Sequence, residues 1–351
     1  MITALLTKIV RVISTVVIVL TFLSYLCPYV NPAFFRWLAF FGTAFPWFLL
    51  CNFFLMLFWL WARSRYSIYH FVIMAFGWSY VTGFIGFNFG QKKVPETSIT
   101  LATHNLGAIF HGQKINDALR EKTATAYARF LQENGMPDIL CTQETTRKFY
   151  PLLAAKMGYE HTFNLKKGTV IFSRFPMQAG GDIPFGKGTA NSTLWVDILI
   201  GNQTVRVYNV HLQSNKVSTD AEKVIEGPGL DEEETWQDIG ILLDKVGSAT
   251  SQRASQAQSL REHIVACPHP VIVCGDFNDT PNSYVYSLLS EGLNDTFREK
   301  GAGLGTTYAG VLPLLRIDYI LTDPGIRTYD CRNVRGPYSD HYPVFAELGI
   351  P

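Results

Sequence analysis

The pattern of apolar positions changes near residue 95. Before that point the chain contains three long apolar runs, roughly residues 9–29, 37–61 and 68–89, which are separated by short breaks with proline or arginine. About 20 apolar residues in a helix cross a hydrocarbon core near 30 Å thick. The runs therefore predict an α-helical membrane region of about three spans within residues 1–95.

After residue 95 short apolar strands alternate with helical and polar segments. Strands are predicted at 98–104, 139–143, 168–173, 193–200, 204–211, 270–274, 318–321 and 344–348, and helices at 117–134, 150–157, 237–266 and 283–290. Gly201-Asn202 between two strands is typical of a tight hairpin. This alternation predicts one α/β domain with mixed strand pairing over residues 96–351.

Charge separates the same two parts of the chain. Residues 1–95 contain seven Lys and Arg and no Asp or Glu, whereas the remainder has 23 Lys and Arg against 29 Asp and Glu, a net charge of −6. Such asymmetry indicates segments in different solvents. A cleaved signal peptide does not fit, because the first run is too long and lacks a small-x-small cleavage site.

These features predict a multi-pass integral membrane protein. With the N-terminus inside, four cations of the helical part face the cytoplasm and three face the other side, a weak bias under the positive-inside rule. An odd number of spans then predicts a catalytic domain outside the cytoplasm.

Polar side chains recur where the apolar strands of the second part begin or end. Side chains at strand ends project from the rim of a sheet, where several segments of the chain converge on one cleft. The residues at these positions are Asn105, Glu144, His211, Asp276, Asn278, Asp318, Asp340 and His341.

These residues lie in six short motifs. In chain order the motifs are Thr103-His104-Asn105-Leu106, Thr142-Gln143-Glu144-Thr145, Asn209-Val210-His211-Leu212, Gly275-Asp276-Phe277-Asn278, Arg316-Ile317-Asp318-Tyr319-Ile320-Leu321 and Ser339-Asp340-His341-Tyr342-Pro343-Val344. The ordered set resembles the endonuclease/exonuclease/phosphatase superfamily from about residue 98 to the C-terminus. The resemblance implies a four-layered α/β sandwich of two mixed sheets and metal-dependent hydrolysis of phosphoesters.

The resemblance also implies a metal site. Glu144 matches the principal metal carboxylate, with Asn105 nearby and Asp340 as a contributor to a second site. A divalent cation neutralises the anionic oxygens of a phosphodiester and polarises its phosphorus. Mg²⁺ prefers a few carboxylates and retained waters, so Mg²⁺ is the expected ion, with Mn²⁺ as a substitute.

The remaining motif residues match catalytic positions. Asp276 and Asn278 would position water and phosphate, and Asp276 would either accept a proton from the water or handle the leaving group. His341 would contact the scissile phosphate or act as general base, and Asp318 would orient it and favour its protonated form. His211 would bind phosphate or protonate the leaving group.

Five further residues are expected to support this set. His104 is interpreted as a support residue rather than a ligand. The others are Asn209, Ser214, Tyr308 and Tyr319.

The sequence predicts the reaction better than the substrate. A net acidic catalytic part without a long basic run argues against strong nucleic-acid binding, and a membrane tether raises the effective concentration of lipid head groups. The expected partners are the lipid bilayer and a phosphoester, with a phospholipid head group or small phosphoester favoured over nucleic acid. A membrane-tethered endo- or exonuclease and a catalytically silent binding module on a membrane scaffold remain the alternatives. The oligomeric state is left open.

One polar stretch, residues 215–234, follows His211 directly and carries a Glu-Gly-Pro-Gly sequence and an acidic run. It is either a solvated surface loop or a lid beside the site. If it is a lid, its deletion would change substrate preference more than stability.

Overall fold

The structure, a computed structural model, describes residues 2–90, 93–110, 113–165, 168–185, 191–214, 233–310 and 312–351. Most of the polar stretch 215–234, interpreted as a surface loop or a lid, lies outside the described residues, which omit 215–232.

The N-terminal part is helical. Its helices are α1 (Ile2–Ser24), α2 (Ala39–Thr43), α3 (Phe45–Trp61), α4 (Tyr66–Phe76) and α5 (Trp78–Phe84). Their outer faces carry many exposed apolar side chains, of which Val12, Phe54 and Phe71 are each at least 60% exposed. A face of this kind is what a hydrocarbon environment requires, or what a partner covers.

The prediction of three membrane spans is wrong. Among the described residues only Leu5–Tyr29 is long and apolar enough to cross a membrane by itself, and the pair Arg36–Thr43 and Phe45–Trp61, bent by 52°, is a second candidate only if both helices count as one span. The third run breaks at Gly77, where the Tyr25 ring occupies the place of a side chain. The 11-residue α4 is only about 16 Å long at 1.5 Å per residue.

Polar side chains inside this bundle bond to one another. Asn52 donates from Nδ2 to Thr21 Oγ1 at 2.7 Å, and its Oδ1 lies 2.8 Å from His70 Nδ1. Trp59 donates from Nε1 to Ser14 Oγ at 2.8 Å. These pairs join α1, α3 and α4 where apolar packing alone would leave the register free.

The second part contains fourteen described strands and five described helices, counting the strand that follows α5. The helices are α6 (Asp117–Glu133), α7 (Tyr150–Met157), α8 (Glu233–Val265), α9 (Tyr284–Ser290) and α10 (Thr296–Lys300). The strands are β1 (Ile85–Phe87), β2 (Ile99–Asn105), β3 (Ile139–Gln143), β4 (His161–Asn164), β5 (Val170–Ser173), β6 (Met177–Ile183), β7 (Ser192–Ile200), β8 (Gln203–His211), β9 (Val271–Asp276), β10 (Asn294–Asp295), β11 (Ala302–Leu304), β12 (Asp318–Thr322), β13 (Arg327–Asn333) and β14 (Val344–Gly349).

These strands form two mixed six-stranded sheets and a small two-stranded one. The first sheet has the order β10-β12-β9-β8-β7-β6, the second has the order β13-β14-β2-β3-β5-β4, and β1 pairs with β11. Only β8–β9 and β2–β3 run parallel; the other described pairs are antiparallel. The α/β class with two mixed sheets is confirmed.

The two large sheets pack face to face. One buried cluster combines Leu101 and Ile139 of the second sheet with Val196, Val207 and Ile272 of the first. The outer face of the second sheet is covered by α6 and α7, and that of the first by α8 and α9. The layer order is therefore helix, sheet, sheet, helix, because each sheet buries both faces.

Every predicted strand and helix of this part is present, with ends shifted by a few residues. Six strands were not predicted from the sequence, namely β1, β4, β6, β10, β11 and β13. In β6 the pair Gly180-Gly181 has weak strand preference, but the rings of Phe163 and Trp195 occupy the space that side chains at these glycines would need. Packing against these two rings, rather than local strand preference, stabilises β6.

The helical part packs directly onto the sandwich. Asn282 donates from Nδ2 to the Ser24 carbonyl at 3.1 Å, and Arg316 donates from Nη1 to the Gly83 carbonyl at 2.9 Å. Arg36 forms an ion pair with Asp244 of α8 at 2.8 Å. The pairing of β1 with β11 adds main-chain hydrogen bonds to this junction.

Candidate active site

The predicted site residues meet at one rim of the sandwich. Asn105, His211 and Asp276 are the last residues of β2, β8 and β9, and Asp318 is the first residue of β12. In the ladder Asp276 pairs with both His211 and Asp318. Both sheets thus contribute to one cleft.

Asn105 connects the two sheets at this rim. Its Nδ2 donates to Asp276 Oδ2 at 2.9 Å and lies 3.2 Å from Glu144 Oε1, and its Oδ1 accepts from the Gly107 amide at 2.9 Å. One amide group therefore fixes two carboxylates that would otherwise repel each other.

Glu144 follows β3 in a left-handed backbone conformation. Its φ is 53°, which costs a non-glycine residue on the order of 1–3 kcal/mol. Its carboxylate is 44% exposed, and a side chain at Gly107 would collide with it. No Lys or Arg in the described part of the chain forms an ion pair with this carboxylate.

His341 and Asp318 form a buried pair. His341 Nδ1 lies 2.9 Å from Asp318 Oδ2 and 3.2 Å from Oδ1. Burial alone lowers the pKa of His341, but the carboxylates of Asp318 and Asp276 outweigh it and raise the pKa to about 10. The imidazole is therefore a cation at neutral pH, with Nε2 directed toward Asp276 Oδ2 at 3.9 Å.

Asp276 lies at the centre of the cleft and is 1% exposed. Its Oδ1 accepts from the Asn278 main-chain amide at 2.8 Å, and its Oδ2 from Asn278 Nδ2 at 3.1 Å. Burial and the neighbouring Asp318 carboxylate raise the pKa of Asp276, while His341, His211 and Asn105 act in the opposite direction.

Asn278 has the same backbone conformation as Glu144. Its φ is 53°, and its Nδ2 also donates to the Leu212 carbonyl at 3.0 Å. Asn tolerates this region better than most residues. The position holds the loop after β9 against the loop after β8.

His211 has a buried ring nitrogen without a hydrogen bond. Its Nε2 has no hydrogen-bond partner among the described residues, and the nearest charged atom is Glu144 Oε1 at 3.5 Å. A buried polar atom of this kind costs about 1–3 kcal/mol. It is a vacant donor or acceptor that faces the cleft carboxylate.

Asp340 stands apart from this cluster. Its carboxylate accepts from Ser339 Oγ at 3.2 Å and is partly exposed. It contributes to raising the pKa of His341, so its charge is close to the site. The group that meets the spacing of a metal cluster consists of Asp276, Asp318 and His341, whose nearest ligand atoms lie within 4.8 Å of one another.

The expected supporting residues hold the framework. Asn209 donates to the carbonyls of Thr142 and Val170 at 3.0 and 2.9 Å, which ties the two sheets together. The Tyr308 ring packs edge-on against His341 at 5.3 Å between centroids. Tyr319 places its hydroxyl 2.8 Å from the Asp279 carbonyl. Ser214 ends the described segment after His211.

His104 supports His341 from below. Its Nε2 lies 3.1 Å from the His341 carbonyl and its Nδ1 lies 2.8 Å from the Tyr127 hydroxyl. Complete burial lowers the pKa of His104 to about 3. It is a neutral structural histidine, in agreement with its interpretation from the sequence.

One buried ion pair beside the site was not predicted from the sequence. Arg253 of α8 lies 3.4 Å from Asp279 Oδ2 and donates to the Gln213 carbonyl at 2.8 Å. It thereby links the loop after β8 to the loop after β9. A single arginine inside a long amphipathic helix gives no local signal, so only the fold reveals this link.

The donor set suits a hard divalent cation. Glu144 offers carboxylate oxygens at the open side of the cleft, and the buried Asn105 has an amide oxygen that also accepts from the Gly107 amide. Oxygen ligands are those that Mg²⁺ and similar ions select. The cluster of Asp276, Asp318 and His341 is less suited, since His341 Nδ1 already bonds to Asp318. Gly107 packs against the Glu144 carboxylate, and a side chain at this position would occupy the place of that carboxylate.

Two family models match the chain. The model described as the Endonuclease/Exonuclease/phosphatase family matches residues 102–341. A second model, described as a domain of unknown function (DUF8431), matches residues 7–84. No curated protein matches the sequence.

Solved structures share the fold at low identity. A humanized D. rerio TDP2 has a TM-score of 0.53 at 15% identity over 72% of this chain and 100% of that chain. D. rerio TDP2 complexed with single strand DNA product has a TM-score of 0.51 at 15% identity over 72% of this chain and 100% of that chain. An endonuclease/exonuclease/phosphatase from Beutenbergia cavernae DSM 12333 has a TM-score of 0.51 at 19% identity over 72% of this chain and 72% of that chain. At these identities the likeness concerns the fold alone.

Proposed function

The chain belongs to the endonuclease/exonuclease/phosphatase family, and on that premise we propose that it is a membrane-anchored, divalent-metal-dependent phosphodiesterase. Residues 96–351 form the catalytic domain in this proposal, and residues 1–95 form the anchor. The observation that carries it is the Asn105 amide, which joins Glu144 to Asp276 beside the His341–Asp318 pair.

Glu144 and Asn105 are proposed to hold the ion, which is Mg²⁺ with Mn²⁺ as a substitute. Bound there, the ion supplies positive charge to the phosphate oxygens and polarises the phosphorus. Asp340 stays a proposed contributor to a second site, supported by its proximity to His341.

His341 is proposed to act as a cation toward the scissile phosphate. Its Nδ1 proton is held by Asp318, so Nε2–H is free to donate to a non-bridging oxygen. A donor already in place where negative charge develops lowers the barrier without reorganisation. This protonation state disfavours His341 as the general base.

Asp276 is proposed to accept the proton of the attacking water. Its raised pKa makes it a better base than an ordinary carboxylate, while Asn105 and Asn278 keep its orientation. The vacant Nε2 of His211 is proposed to bind a phosphate oxygen or to protonate the leaving group.

The anchoring function is supported by α1 and by the exposed apolar faces of α3 and α4. At the end of the bundle remote from the sandwich, the Arg11 guanidinium lies 5.4 Å from the Tyr66 ring centroid. Arg63 and Arg65 lie in the adjoining turn. Cations at this end favour a cytoplasmic N-terminus, which would place the catalytic domain on the other side.

A phospholipid head group or a small phosphoester is the proposed substrate class. The net charge of −6 outside the anchor does not favour a polyanion. Nuclease activity is the second candidate, because a structure with the same fold is D. rerio TDP2 complexed with single strand DNA product. A silent binding module is disfavoured by the complete set of cleft residues.

The test is hydrolysis by detergent-purified full-length protein with Mg²⁺. DNA, RNA, sphingomyelin, glycerophospholipids and an aryl phosphodiester are assayed in parallel, with Glu144→Gln and His341→Ala as controls for contaminants. Release of a lipid head group that both variants lose supports the proposal. Digestion of nucleic acid lost in both variants supports the nuclease instead, and no hydrolysis by folded protein refutes both.

A further inference from the structure

A basic pocket lies at the opposite end of the sandwich from the cleft. It has a volume of about 350 Å³, and its described lining contains three cationic side chains, those of Lys93, Lys300 and Arg327, and no carboxylate. Arg327 pairs with Gly349 at the end of β14. The cleft is reached only after the seven residues of β2, about 20 Å away at 3.3 Å per residue.

An apolar cavity of about 520 Å³ lies beside this pocket. It is formed between α3, α4, α5 and β1, and its walls include Phe53, Phe71, Trp78 and Val81. Phe53, Phe71 and Trp78 are also exposed at its mouth, so the cavity opens on the apolar outer face of the bundle. Its volume is within the range of small-molecule sites, about 300–1,000 Å³.

Strand β1 lies between the two spaces. Ile85 and Phe87 line the apolar cavity, whereas Asn88, the next residue, lines the basic pocket. Adjacent Cα atoms are about 3.8 Å apart. The Trp78 ring packs against Phe87 with centroids 5.1 Å apart. A molecule with an anionic group on one side of β1 and a hydrocarbon chain on the other would occupy both.

We propose that this composite site binds an anionic glycerophospholipid. Lys93, Lys300 and Arg327 would bind the phosphate, and an acyl chain would enter the cavity between α3, α4 and α5. A zwitterionic lipid fits less well, because none of the described residues that line the pocket has a carboxylate for its ammonium group. The inference rests on the proposed membrane attachment and is independent of hydrolysis at the cleft.

The site has a structural consequence for the junction. The same strand that separates the two spaces pairs with β11, and Lys300 directly precedes Gly301, which is in contact with Gly86 of β1. A lipid bound across β1 would therefore hold the helical part against the sandwich.

The experiment is native mass spectrometry of full-length protein in an uncharged detergent, with a chelator present to prevent hydrolysis. Phosphatidylglycerol, phosphatidylcholine and inorganic phosphate are titrated separately. We expect phosphatidylglycerol to bind at least tenfold more tightly than phosphatidylcholine. Equal affinity for both lipids overturns the proposal. Occupancy by inorganic phosphate that displaces phosphatidylglycerol also overturns it, because that result identifies a site for soluble anions.

Variants separate the two halves of the site. Lys300→Glu with Arg327→Glu removes the phosphate contacts, and Ala75→Trp fills the cavity; each is expected to weaken phosphatidylglycerol binding tenfold or more. Lys122→Glu with Arg129→Glu, exposed cations of α6, is the matched control and should bind as the unaltered protein does. Binding by the first two variants that equals the control overturns the proposal.

Hydrolysis of a soluble aryl phosphodiester is measured on the same samples with Mg²⁺ restored. Activity retained by the pocket variants shows that they fold and that the loss of lipid is local. If the unaltered protein hydrolyses nothing, the proposed function fails while the lipid result stands.

Discussion

At the scale of single residues, the carboxylates of the cleft differ in burial and in hydrogen bonding. Glu144 is partly exposed and lacks a cationic partner in the described chain, whereas Asp276 and Asp318 are buried and satisfied. A metal ion replaces solvent most readily at the exposed carboxylate, and a buried one is better suited to hold a proton or a histidine.

Glu144→Gln is therefore expected to weaken Mg²⁺ binding at least tenfold, because the amide keeps the size of the side chain but loses its charge. Titration calorimetry on the purified protein measures this affinity directly, without a substrate. Glu160→Gln, an exposed glutamate, is the control. Equal affinity for Mg²⁺ in both variants would contradict the assignment of Glu144.

Asp318→Asn is expected to lower the pKa of His341. Burial lowers this pKa, and Asp318 is the first of the carboxylates that outweigh burial and raise the pKa to about 10. The stability that the charged pair contributes is fully present below the ordinary pKa of 6.5 and is lost as the pH rises toward 10.

NMR titration of the imidazole in metal-free protein measures the change. The alkaline loss of stability should also move to lower pH in the variant. A midpoint for His341 that is the same in both proteins would exclude Asp318 as the cause.

At the scale of elements, Arg316 links three parts of the fold. Its guanidinium bonds to Asp295 at 2.6 and 2.8 Å and to the Gly83 carbonyl of α5, and it lies two residues before Asp318. Burial alone would raise the pKa of Asp295, but Arg316 outweighs it and lowers the pKa below its ordinary 3.8. The pair is therefore charged at every pH above that value.

Asp295→Ala is expected to destabilise the protein by about 3–5 kcal/mol, because it leaves the buried guanidinium unpaired. Glu133→Ala, which breaks the exposed pair with Arg129 on α6, should cost less than about 1 kcal/mol. Denaturant unfolding in detergent compares the two. Similar losses would show that the Asp295 pair is not buried in solution.

The sequence predicted the elements that are set by local pattern. All strands that carry candidate site residues were found, because each is an apolar run with a polar residue at one end. Edge strands such as β13 were missed, since a polar strand is recognisable only from its partner β14. The third span was wrongly predicted, because composition does not show that Tyr25 takes the side-chain position at Gly77.

The motifs predicted residues that the fold brings together at one rim, but not the protonation or the supports of these residues. The six motifs contain the eight candidate residues, whereas Gly107 beside the Glu144 carboxylate lies outside them. That His341 is charged depends on Asp318 being 2.9 Å away, and that Arg253 bridges two loops depends on the packing of α8. Distances between residues far apart in sequence decide both.

At the scale of the whole molecule, the helical part is packed against the loop that follows Asp276 and Asn278 of the candidate site. Residues 279–282 come directly after Asn278. In this loop Thr280 donates to the Gly42 carbonyl at 3.3 Å and Asn282 to the Ser24 carbonyl. Pro281 fills the space beside Gly83.

Removal of residues 1–95 is expected to lower both the melting temperature and the hydrolysis of a soluble phosphodiester, because the loop after Asn278 loses its packing partner. Scanning calorimetry and initial rates compare the truncated protein with the full chain in the same detergent. A truncated protein with unchanged melting temperature and rate would show that the helices act only as a tether.

The contacts between the helical part and the sandwich join residues that leave the ribosome at very different times. Asn282 and Ser24 are separated by 258 positions, and Arg316 and Gly83 by 233. At 5–20 residues per second, roughly 13–50 s pass between the emergence of Ser24 and that of its partner. During that interval the helices have no sandwich to pack against. The order of emergence makes the final third of the chain the step that completes assembly, and a ribosome that stalls before residue 316 would release helices with an uncovered junction.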